Sequence, residues 1–588
     1  MSSTDVRTPK RWSIVPAWQG CEQVARRFGI SRLIAQLLFN RGIISADTPP
    51  DQDAIRAFLK PEIKTLPDPD LLPGANRAAE IVVRKIRERR PIVIYGDYDV
   101  DGLTGVAILW HLLRLAGTDV RYYIPHRIEE GYGLKSEALR HLRDGGADTL
   151  ITVDCGITAV EQARLARELG LTLIITDHHA PGATLPEADV LVHPCIAEGY
   201  PNPYLCGAGV AFKLAWAIAR NLSGSLRVRP EFREFLKDAT SLAALGTIAD
   251  VVPLVGENRV LARFGLAGLA DSRLAGVRAL IEAARLEGQK LDSEHVGFWL
   301  APRLNAAGRM GHAQLAAELL TEADESRGRE IALYLEEQNH RRQSLEKRIF
   351  QEACERIEAD RLASDARRAI VLAGPDWHAG VIGIVAARVV EEYGRPAVLI
   401  SLTNGEGQGS ARSVAHFPLH EALGACGEHL LVWGGHAMAA GLRIACDRVE
   451  AFTEAFVARA NQTLTARDLE PVSRLDAEVG LAELTEAMIR DLQRLGPFGQ
   501  QNPKPRFASP TLMLDGEPRT VGRNGEHLSF CLTDGHTRRR AIAFGLREHL
   551  DGLRQHRRCR VAYRPTLNTF NGRTSVELHV LDLALPED

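Results

Sequence analysis

Three aspartates at two-residue spacing are the residues of this chain with the clearest chemical potential. Asp97, Asp99 and Asp101 directly follow the apolar run 92–95, Ile-Val-Ile-Tyr. Three carboxylates in one short turn repel each other, and hard divalent cations relieve that repulsion through carboxylate oxygens. A solvated acidic turn is the alternative, because acid-rich turns after strands are common. We expect a metal site.

A calcium-binding loop also opens with this spacing of aspartates. That motif requires a bidentate glutamate at its twelfth position, and here Ile108 occupies it. The calcium loop is therefore excluded.

Further acidic and histidine residues follow other apolar runs. Asp154 comes after 150–153, and the triplet Asp177-His178-His179 comes after 173–176. One aspartate after a strand is more often a turn former or a helix cap. Such residues at three strand ends favour a shared site, because ligands gather beyond the carboxyl ends of parallel strands.

The combined donor set indicates the metal and the reaction. Its oxygen donors are too many for one structural zinc, and a single imidazole among carboxylates favours Mn²⁺ or Mg²⁺ over Ca²⁺. Two ions sharing carboxylates activate water and stabilise an in-line displacement at phosphorus, so we expect phosphoester hydrolysis. The predicted metal ligands are Asp97, Asp99, Asp101, Asp154, His178 and Asp250.

The elements that must position these side chains alternate between strands and amphipathic helices, the pattern of a parallel α/β sheet. Helical spacing of apolar residues is found over 103–116 and 158–169. The predicted strands are 92–95, 120–124, 150–153, 173–176 and 190–192.

Three further regions follow. Residues 329–366 contain no Gly or Pro and predict one long helix, a connector between lobes, with a coiled-coil arm as the alternative. A second, smaller α/β segment follows. From about residue 465, short alternating stretches with Gly, Pro and Asn turns indicate a small β-barrel. The first 75 residues are predicted to be mainly helical.

Composition sets outer limits on the function. The 588 residues carry a net charge of −3, and no apolar run reaches the ~18 residues that span a bilayer. The polar N-terminus lacks the features of a secretory signal, and the nine cysteines include no C-x-x-C pair. We expect a soluble cytoplasmic protein. Residues 501–588 hold 14 Lys/Arg against 10 Asp/Glu, a modest basic excess.

Four ordered motifs resemble those of the DHH phosphoesterases. They are 95–102 (YGDYDVDG), 153–156 (VDCG), 177–179 (DHH) and 247–250 (TIAD). The segments 409–413 (GSARS) and 434–436 (GGH) resemble the DHHA1 accessory domain. With 302–309 (PRLNAAGR), the long helix and the C-terminal barrel, the resemblance extends to the single-strand-specific 5′→3′ exonucleases of bacterial recombination and repair.

That resemblance implies an architecture and a set of roles. The fold would be an α/β DHH domain, a smaller α/β DHHA1 domain joined by a long helix, and a C-terminal OB-fold barrel. The implied boundaries are 1–75 for the helical segment, 76–325 for DHH, 326–366 for the connecting helix, 367–465 for DHHA1 and 466–588 for the OB-fold.

Roles follow position by position. The six predicted ligands would hold two Mn²⁺ or Mg²⁺ ions. Asp154, His178 and His179 would be the catalytic residues, with His179 near the scissile phosphate. The residues implied to bind the 5′ phosphate and DNA backbone are Arg127, Arg309, Ser410, Arg412, Gly434 and His436.

The implied partners are single-stranded DNA, a helicase and a single-strand-binding protein, with no membrane and a monomeric state. In the barrel, Phe530, Phe544, Tyr563 and Phe570 could stack on bases, although core packing is the better interpretation for most of them. The run 538–540 (RRR) would attract the backbone.

Three rival functions stay open at this stage. One is another DHH activity, on short oligoribonucleotides or small nucleotides. A second is a catalytically dead binding module, which should have lost ligands, and a third is a purely structural role. A dinucleotide-binding loop at Gly207-x-Gly209 is rejected because Phe212 replaces the third glycine.

Overall fold

A computed structural model describes residues 10–127, 129–570 and 572–586. Residues 1–9 of the predicted helical segment, and the last two residues of the C-terminal region, lie outside this description. The N-terminal region is helical apart from one short strand. Its elements are β1 (Arg11–Ile14), α1 (Cys21–Phe28), α2 (Arg32–Asn40) and α3 (Gln52–Leu59).

A five-stranded parallel sheet forms the centre of the first α/β region, as predicted. Its strand order is β3-β2-β4-β5-β6. The chain runs from β2 to β3 on one side and then returns to β4 on the other, so the switch point lies between β2 and β4. The strands are β2 (Ile92–Gly96), β3 (Val120–Tyr123), β4 (Thr149–Val153), β5 (Thr172–Thr176) and β6 (Val190–Val192).

Both faces of this sheet are covered by helices. Ile92 and Ile94 pack into the larger core, whereas Val93 and Tyr95 pack against α6 and α7. The helices are α4 (Ala75–Arg87), α5 (Val100–Leu115), α6 (Ser136–Asp144), α7 (Val160–Glu168), α8 (Gly207–Ser223), α9 (Pro230–Ala249), α10 (Gly256–Leu269), α11 (Ala275–Ala283), α12 (Ser293–His295), α13 (Ala301–Arg309) and α14 (Ala313–Thr321). A π-helical turn, Val296–Leu300, joins α12 to α13.

The long helix α15 spans Glu325–Ala359, about 52 Å at 1.5 Å per residue. Its first half contributes Ile331 and Leu335 to the core of the first α/β region, and its second half contributes Ile349 and Ile357 to the core of the next domain. It is therefore a connector between lobes.

The predicted end of this helix at residue 366 is wrong. After Ala359 the chain turns at Arg361, whose φ is 50°, and the amide of Leu362 donates to the carbonyl of Ile357 at 2.9 Å. Glycine usually marks such a left-handed helix end. An arginine in this position left no signal in the sequence.

The second α/β domain is built on a five-stranded sheet of order β10-β11-β9-β8-β7. A tight turn at Asn404-Gly405, with φ of 51° and 84°, joins β8 to β9. The elements are β7 (Ile370–Gly374), α16 (Ala379–Tyr393), β8 (Ala397–Thr403), β9 (Glu406–Arg412), α17 (Leu419–Ala425), β10 (Val432–Gly435), β11 (Ala439–Ala445) and α18 (Val449–Thr463).

The C-terminal region is dominated by one eight-stranded sheet, in which β18 and β20 pair in parallel. Strand β12 instead pairs with β1. The elements are β12 (Val472–Leu475), β13 (Ala477–Glu478), α19 (Glu486–Gln493), β14 (Phe507–Ala508), β15 (Leu512–Leu514), β16 (Arg519–Val521), β17 (His527–Thr533), β18 (Arg538–Ala543), α20 (Leu550–His556), β19 (Arg558–Phe570) and β20 (Arg573–Ala584).

The N-terminal segment is part of the C-terminal region, and the expectation of a separate helical segment is corrected here. Strand β1 pairs in parallel with β12, and Ile34, Leu38 and Phe58 share one core with Phe507 and Leu578. Pairing across more than 450 residues cannot be inferred from local periodicity. Within the described ranges, no helix combines the length and apolar character needed to cross a membrane.

Candidate metal centre and phosphate-binding groove

All six predicted metal ligands meet beyond the carboxyl ends of β2, β4 and β5, beside the end of α9. Nε2 of His178 lies 3.1 Å from Oδ1 of Asp154, 3.6 Å from Oδ2 of Asp250 and 3.8 Å from Oδ2 of Asp101. Donor atoms of Asp97, Asp99 and Asp154 also lie within 4.8 Å of one another. The switch point of the sheet lies at this site, where ligands are expected to bind.

Asp154 adopts a strained backbone conformation. Its φ is 64°, a left-handed value that non-glycine residues rarely adopt, and such strain concentrates at functional sites. Gly207, the first residue of α8, lies against it so closely that a Cβ there would be 2.6 Å from Cβ of Asp154. This close approach explains why residue 207 is a glycine, which the sequence alone suggested only as part of the rejected dinucleotide-binding loop.

Main-chain amides orient two of the other carboxylates. Asp99 caps α5, because its Oδ1 accepts from the amides of Asp101 and Gly102 at 2.9 and 3.2 Å. Asp101 accepts from the amides of Gly207 and Ala208 at the N-terminus of α8. Helix N-termini stabilise negative charge, so these contacts fix carboxylates that face a crowded acidic centre.

The histidine pair is oriented by the buried Asp177. Its carboxylate accepts from the amide of Ile157 at 2.9 Å, from the amide of His178 at 2.7 Å and from Nδ1 of His179 at 2.8 Å. Tyr132 donates from its hydroxyl to the carbonyl of Asp154 at 3.1 Å, and the same hydroxyl lies 3.1 Å from Nδ1 of His179.

The pKa values of the two histidines are shifted in opposite directions. Burial lowers the pKa of His178 to about 3, with a contribution from the charge of His179, so His178 presents a neutral imidazole. Burial would also lower the pKa of His179, but the hydrogen bond and charge of Asp177 outweigh it and raise that pKa to about 9. Asp177 itself, held by His179 against the effect of burial, has a pKa of about 2.

Too little positive charge lies near the clustered carboxylates to balance their negative charge, and their pKa values are raised. Burial and the charge of Asp99 raise the pKa of Asp101 to about 6, and burial and Asp101 raise that of Asp250 to about 9. The pKa values of Asp97 and Asp154 are also raised, by burial first and then by neighbouring aspartates. Opposite charge inside the cluster would reverse these shifts.

The donor set fits divalent metal ions. Three buried atoms of the cluster have no hydrogen-bond partner among the described residues: Oδ1 of Asp97, Oδ1 of Asp154 and Nε2 of His178. Buried polar atoms are almost always satisfied, so three unpartnered atoms facing one another indicate a bound group. Carboxylate oxygens and one neutral imidazole suit Mn²⁺ or Mg²⁺.

A group of arginines lies beside the metal centre. The guanidinium of Arg127 lies over the ring of Tyr98, 4.7 Å from its centroid. Arg309, at the end of α13, donates to the carbonyl of Gly380 at 3.1 Å, and Arg412 donates to the hydroxyl of Ser410 at 3.1 Å.

Arg309 is the arginine most affected by this crowding. Burial, and then the charges of Arg127, Arg342 and Arg412, lower its pKa to about 10. Concentrated positive charge between two α/β lobes is suited to an anion such as phosphate.

Gly434 and His436 lie at the exposed edge of the second sheet, beyond β11, in which Ala439 pairs with Arg412. Gly434 pairs with Gly441, which pairs with Ser410, so Gly434 lies two strands away from Ser410. The amide of His436 donates to the carbonyl of Ala439. Their proposed roles toward substrate stay predictions.

Sequence reasoning missed several contributors to the site. The adjacency of Asp177 to two histidines signalled its role, whereas Tyr132, flanked by glycines, gave no signal. Asn305 accepts from the amide of Val100 at 3.2 Å, so α13 directly contacts the metal loop, the turn 97–101 that carries three of the aspartates.

The four aromatic residues considered for base stacking divide into two pairs. Phe530 and Tyr563 are 3% and 0% exposed and belong to the core of the C-terminal region, whereas Phe544 and Phe570 are 51% and 74% exposed.

Comparisons with known proteins agree with this geometry. Three family models match the chain: the DHH family N-terminal domain over 91–247, the DHHA1 domain over 366–462 and the RecJ OB domain over 475–582. A relative from Bacillus subtilis strain 168, the single-stranded-DNA-specific exonuclease RecJ, is 35% identical over 584 residues, which is 98% of this chain and 71% of the relative.

Solved structures are similar over the same extent. The crystal structure of RecJ in complex with Mn²⁺ from Thermus thermophilus has a TM-score of 0.82 at 32% identity, covering 98% of this chain and 80% of the other. The Mg²⁺ complex from the same organism has a TM-score of 0.75 at 30% identity, covering 98% and 79%.

Proposed function

Because the chain belongs to the RecJ family of single-stranded-DNA-specific exonucleases, we propose that it degrades single-stranded DNA from the 5′ end to mononucleotides. The chain is an enzyme, a phosphodiesterase of the DHH family. The observation that carries the proposal is the buried cluster of unpartnered ligand atoms beside a group of arginines.

The six predicted ligands would hold two Mn²⁺ or Mg²⁺ ions, the ions found in the similar Thermus structures. When bound, the ions activate water and stabilise charge on the phosphate. Asp101 and Asp99 are pre-oriented by main-chain amides, and Asp177 holds the backbone of His178 by accepting from its amide, so the ligands need little rearrangement.

His179 would act at the scissile phosphate. Asp177 accepts a hydrogen bond from its Nδ1, which keeps the ring protonated around neutral pH and directs its Nε2 away from Asp177. A cationic donor stabilises the charge that accumulates on the phosphate oxygens as the bond to the leaving oxygen breaks.

Arg127, Arg309, Arg412 and Ser410 would bind the 5′ phosphate and the backbone. Arg309 is anchored by Gly380 and Arg412 by Ser410, so their guanidinium groups are held in place before substrate arrives. When these groups bind the 5′ end of the DNA, they also hold the next phosphodiester in a fixed orientation. The groove between the two α/β lobes would admit a single strand and exclude a duplex.

We further propose a DHH domain over 76–325, a DHHA1 domain over 367–465 and an OB domain over 466–588. The family matches support these bounds, since they lie within the three regions apart from residue 366. The predicted segments 1–75 and 326–366 are kept only as corrected above: the first shares its core with the OB domain, and the helix of the second ends at Ala359. The OB domain would grip the incoming strand. A monomeric enzyme in the cytoplasm, acting in recombination and repair with a helicase and a single-strand-binding protein, completes the proposal.

End-labelled DNA tests the proposal. Single- and double-stranded oligonucleotides, labelled at either end, are incubated with Mn²⁺, Mg²⁺ or chelator. We expect mononucleotides released from the 5′ end of the single strand in both metals and no product in chelator. Attack from the 3′ end, or equal attack on blunt duplex, would contradict it.

A further inference from the structure

Arg259 of α10 is a charged residue in a fully enclosed position, 1% exposed. Its guanidinium donates to four main-chain carbonyl oxygens: that of Phe58 at 2.9 Å, and those of Gly496, Pro497 and Arg494 at 2.8, 3.2 and 3.4 Å. It also lies over the ring of Phe58, 4.1 Å from the centroid. One catalytic-domain side chain therefore contacts both the N-terminal helices and the C-terminal region.

Three of these carbonyls belong to residues 494–502, which we name the docking loop. The loop follows α19 directly and is closed on itself, because Nδ2 of Asn502 donates to the carbonyls of Leu495 and Pro497, both at 2.8 Å. Because these hydrogen bonds hold the loop in one conformation, its carbonyls are fixed in place to accept from Arg259.

The docking loop also contacts two other parts of the catalytic domain. The amide of Leu254 donates to the carbonyl of Gln500 at 2.9 Å, and the hydroxyl of Ser293 donates to that of Phe498. Gly499 fits against Leu254 so tightly that a Cβ there would be 2.6 Å from the Leu254 Cδ1.

Two short stretches of chain connect these contacts to the metal centre. Leu254 follows Asp250 by four residues. Ser293 and Asn305 belong to one helical run, and Asn305 contacts the metal loop at Val100. The run between them spans about 18 Å at 1.5 Å per residue, or about five stacked nucleotides at 3.4 Å each.

We propose that Arg259 is a positioning residue that anchors the C-terminal strand-binding domain to the catalytic domain and so determines a preference for long single strands. The inference rests on the proposed function and adds a substrate-length determinant to it. A strand long enough to reach both regions gains from a fixed spacing between them, since its second contact becomes intramolecular. A dinucleotide contacts only the catalytic groove and gains nothing.

The test compares Arg259→Met, which keeps the apolar stem, with the wild type on two substrates, a 5′-phosphorylated 20-residue oligothymidylate and the 5′-phosphorylated dinucleotide. We expect kcat/KM for the 20-mer to fall about tenfold, mostly through KM, because the effective concentration of the second contact falls. The kcat/KM for the dinucleotide should stay within about twofold.

Arg263→Ala is the matched control. Arg263 lies one turn further along α10, is exposed, and makes a single long hydrogen bond to Gly496 at 3.4 Å. We expect its length preference to equal that of the wild type. If Arg259→Met does not fold, Gly499→Ala provides a second test, because the new Cβ pushes the docking loop away from Leu254. We expect Gly499→Ala to lose kcat/KM on the 20-mer and to keep it on the dinucleotide.

Hydrogen exchange separates failure of the anchor from failure of the enzyme assignment. We expect Arg259→Met to speed exchange across 494–502 and 254–258 while α5 and β4 stay protected, whether or not the wild type cleaves DNA. Equal losses on both substrates, or faster exchange of the loop without any change in length preference, would overturn the proposal. A wild type that cleaves neither substrate would instead overturn the proposed function.

Discussion

At the scale of single residues, Asp154 shows that the site is arranged for cations and not for stability. The side chain is 2% exposed, one of its oxygens has no partner within the described residues, and its φ is left-handed. Asp148, at the other end of the same strand, is also a buried carboxylate, but it pairs with Lys85 at 2.7 Å and Arg90 at 2.6 Å. The two aspartates should respond oppositely to substitution.

Asp154→Asn should abolish hydrolysis while stabilising the metal-free protein. Asparagine keeps the shape, tolerates the left-handed backbone and removes a charge that burial and Asp101 disfavour. We expect activity to fall by about 10³-fold or more, as several kcal/mol of transition-state stabilisation is lost. In chelator, the melting temperature of this variant should rise above that of the wild type.

His178→Ala should likewise lose hydrolysis and retain binding to single-stranded DNA.

Asp148→Asn is the control and should lower the melting temperature at neutral pH. Burial alone would raise the pKa of Asp148, but hydrogen bonds from Lys85, Thr149 and Arg90 lower it overall. A carboxylate with a lowered pKa stabilises the fold above its unfolded value near 3.9, and loses that effect as pH falls through the folded value. Thermal unfolding from pH 7 to pH 2 should show the two proteins converging in acid; a constant difference would contradict the ion-pair explanation.

At the scale of elements, the N-terminus of α8 is fitted to the metal centre. Gly207 and Ala208 donate amides to Asp101, and the absence of a side chain at Gly207 leaves room for Asp154. The helix thus fixes two ligands from different strand ends.

Gly207→Ala should weaken metal binding without unfolding the domain. The new Cβ would force Asp154 to move, and displaced support for a metal ligand costs about 10–100-fold in affinity. Activity titrated with Mn²⁺ should give a half-saturating concentration raised by that factor. Gly209→Ala is the control, because its Cβ would meet only the Leu205 side chain, 2.7 Å from Cδ2. Equal effects of the two substitutions would contradict the account.

Elements with local signals were predictable from sequence, and those that depend on distant partners were not. The five strands of the first sheet are short apolar runs, and three of them, β2, β4 and β5, are followed directly by acidic residues. Both the parallel sheet and its ligand edge were therefore predicted. The end of α15 at Ala359 lacked a glycine signal. The close contacts of Gly207 with Asp154 and of Asn305 with Val100 join separate segments, and no pattern within either segment indicates them.

At the scale of the whole molecule, the two ends of the chain fold as one body. Eleven apolar residues between Cys21 and Leu59 are buried in the same core as the C-terminal sheet. The amide of Val15 donates to the carbonyl of Leu475, and the indole of Trp12 donates to Asp582 at 2.8 Å. The fold of the C-terminal region therefore depends on residues about 450 positions earlier in the chain.

Residues 466–588 expressed alone should not unfold cooperatively. Without the N-terminal helices, Phe507, Leu512 and Leu578 lose apolar neighbours, and each exposed core side chain costs about 1.5–3 kcal/mol. A fusion of residues 10–60 to 466–588 through a flexible linker should restore a single sharp transition in circular dichroism. A sharp transition of the same midpoint without the helices would contradict the shared core.

The central claim is that the carboxylates and His178 bind two cations together. Crystals grown in Mn²⁺ and measured at the manganese absorption edge test it most directly. We predict two anomalous peaks about 3.5–4 Å apart, with Asp154 in contact with both and His178 with one. A single peak away from the cluster, or no peak at saturating Mn²⁺, would contradict the account.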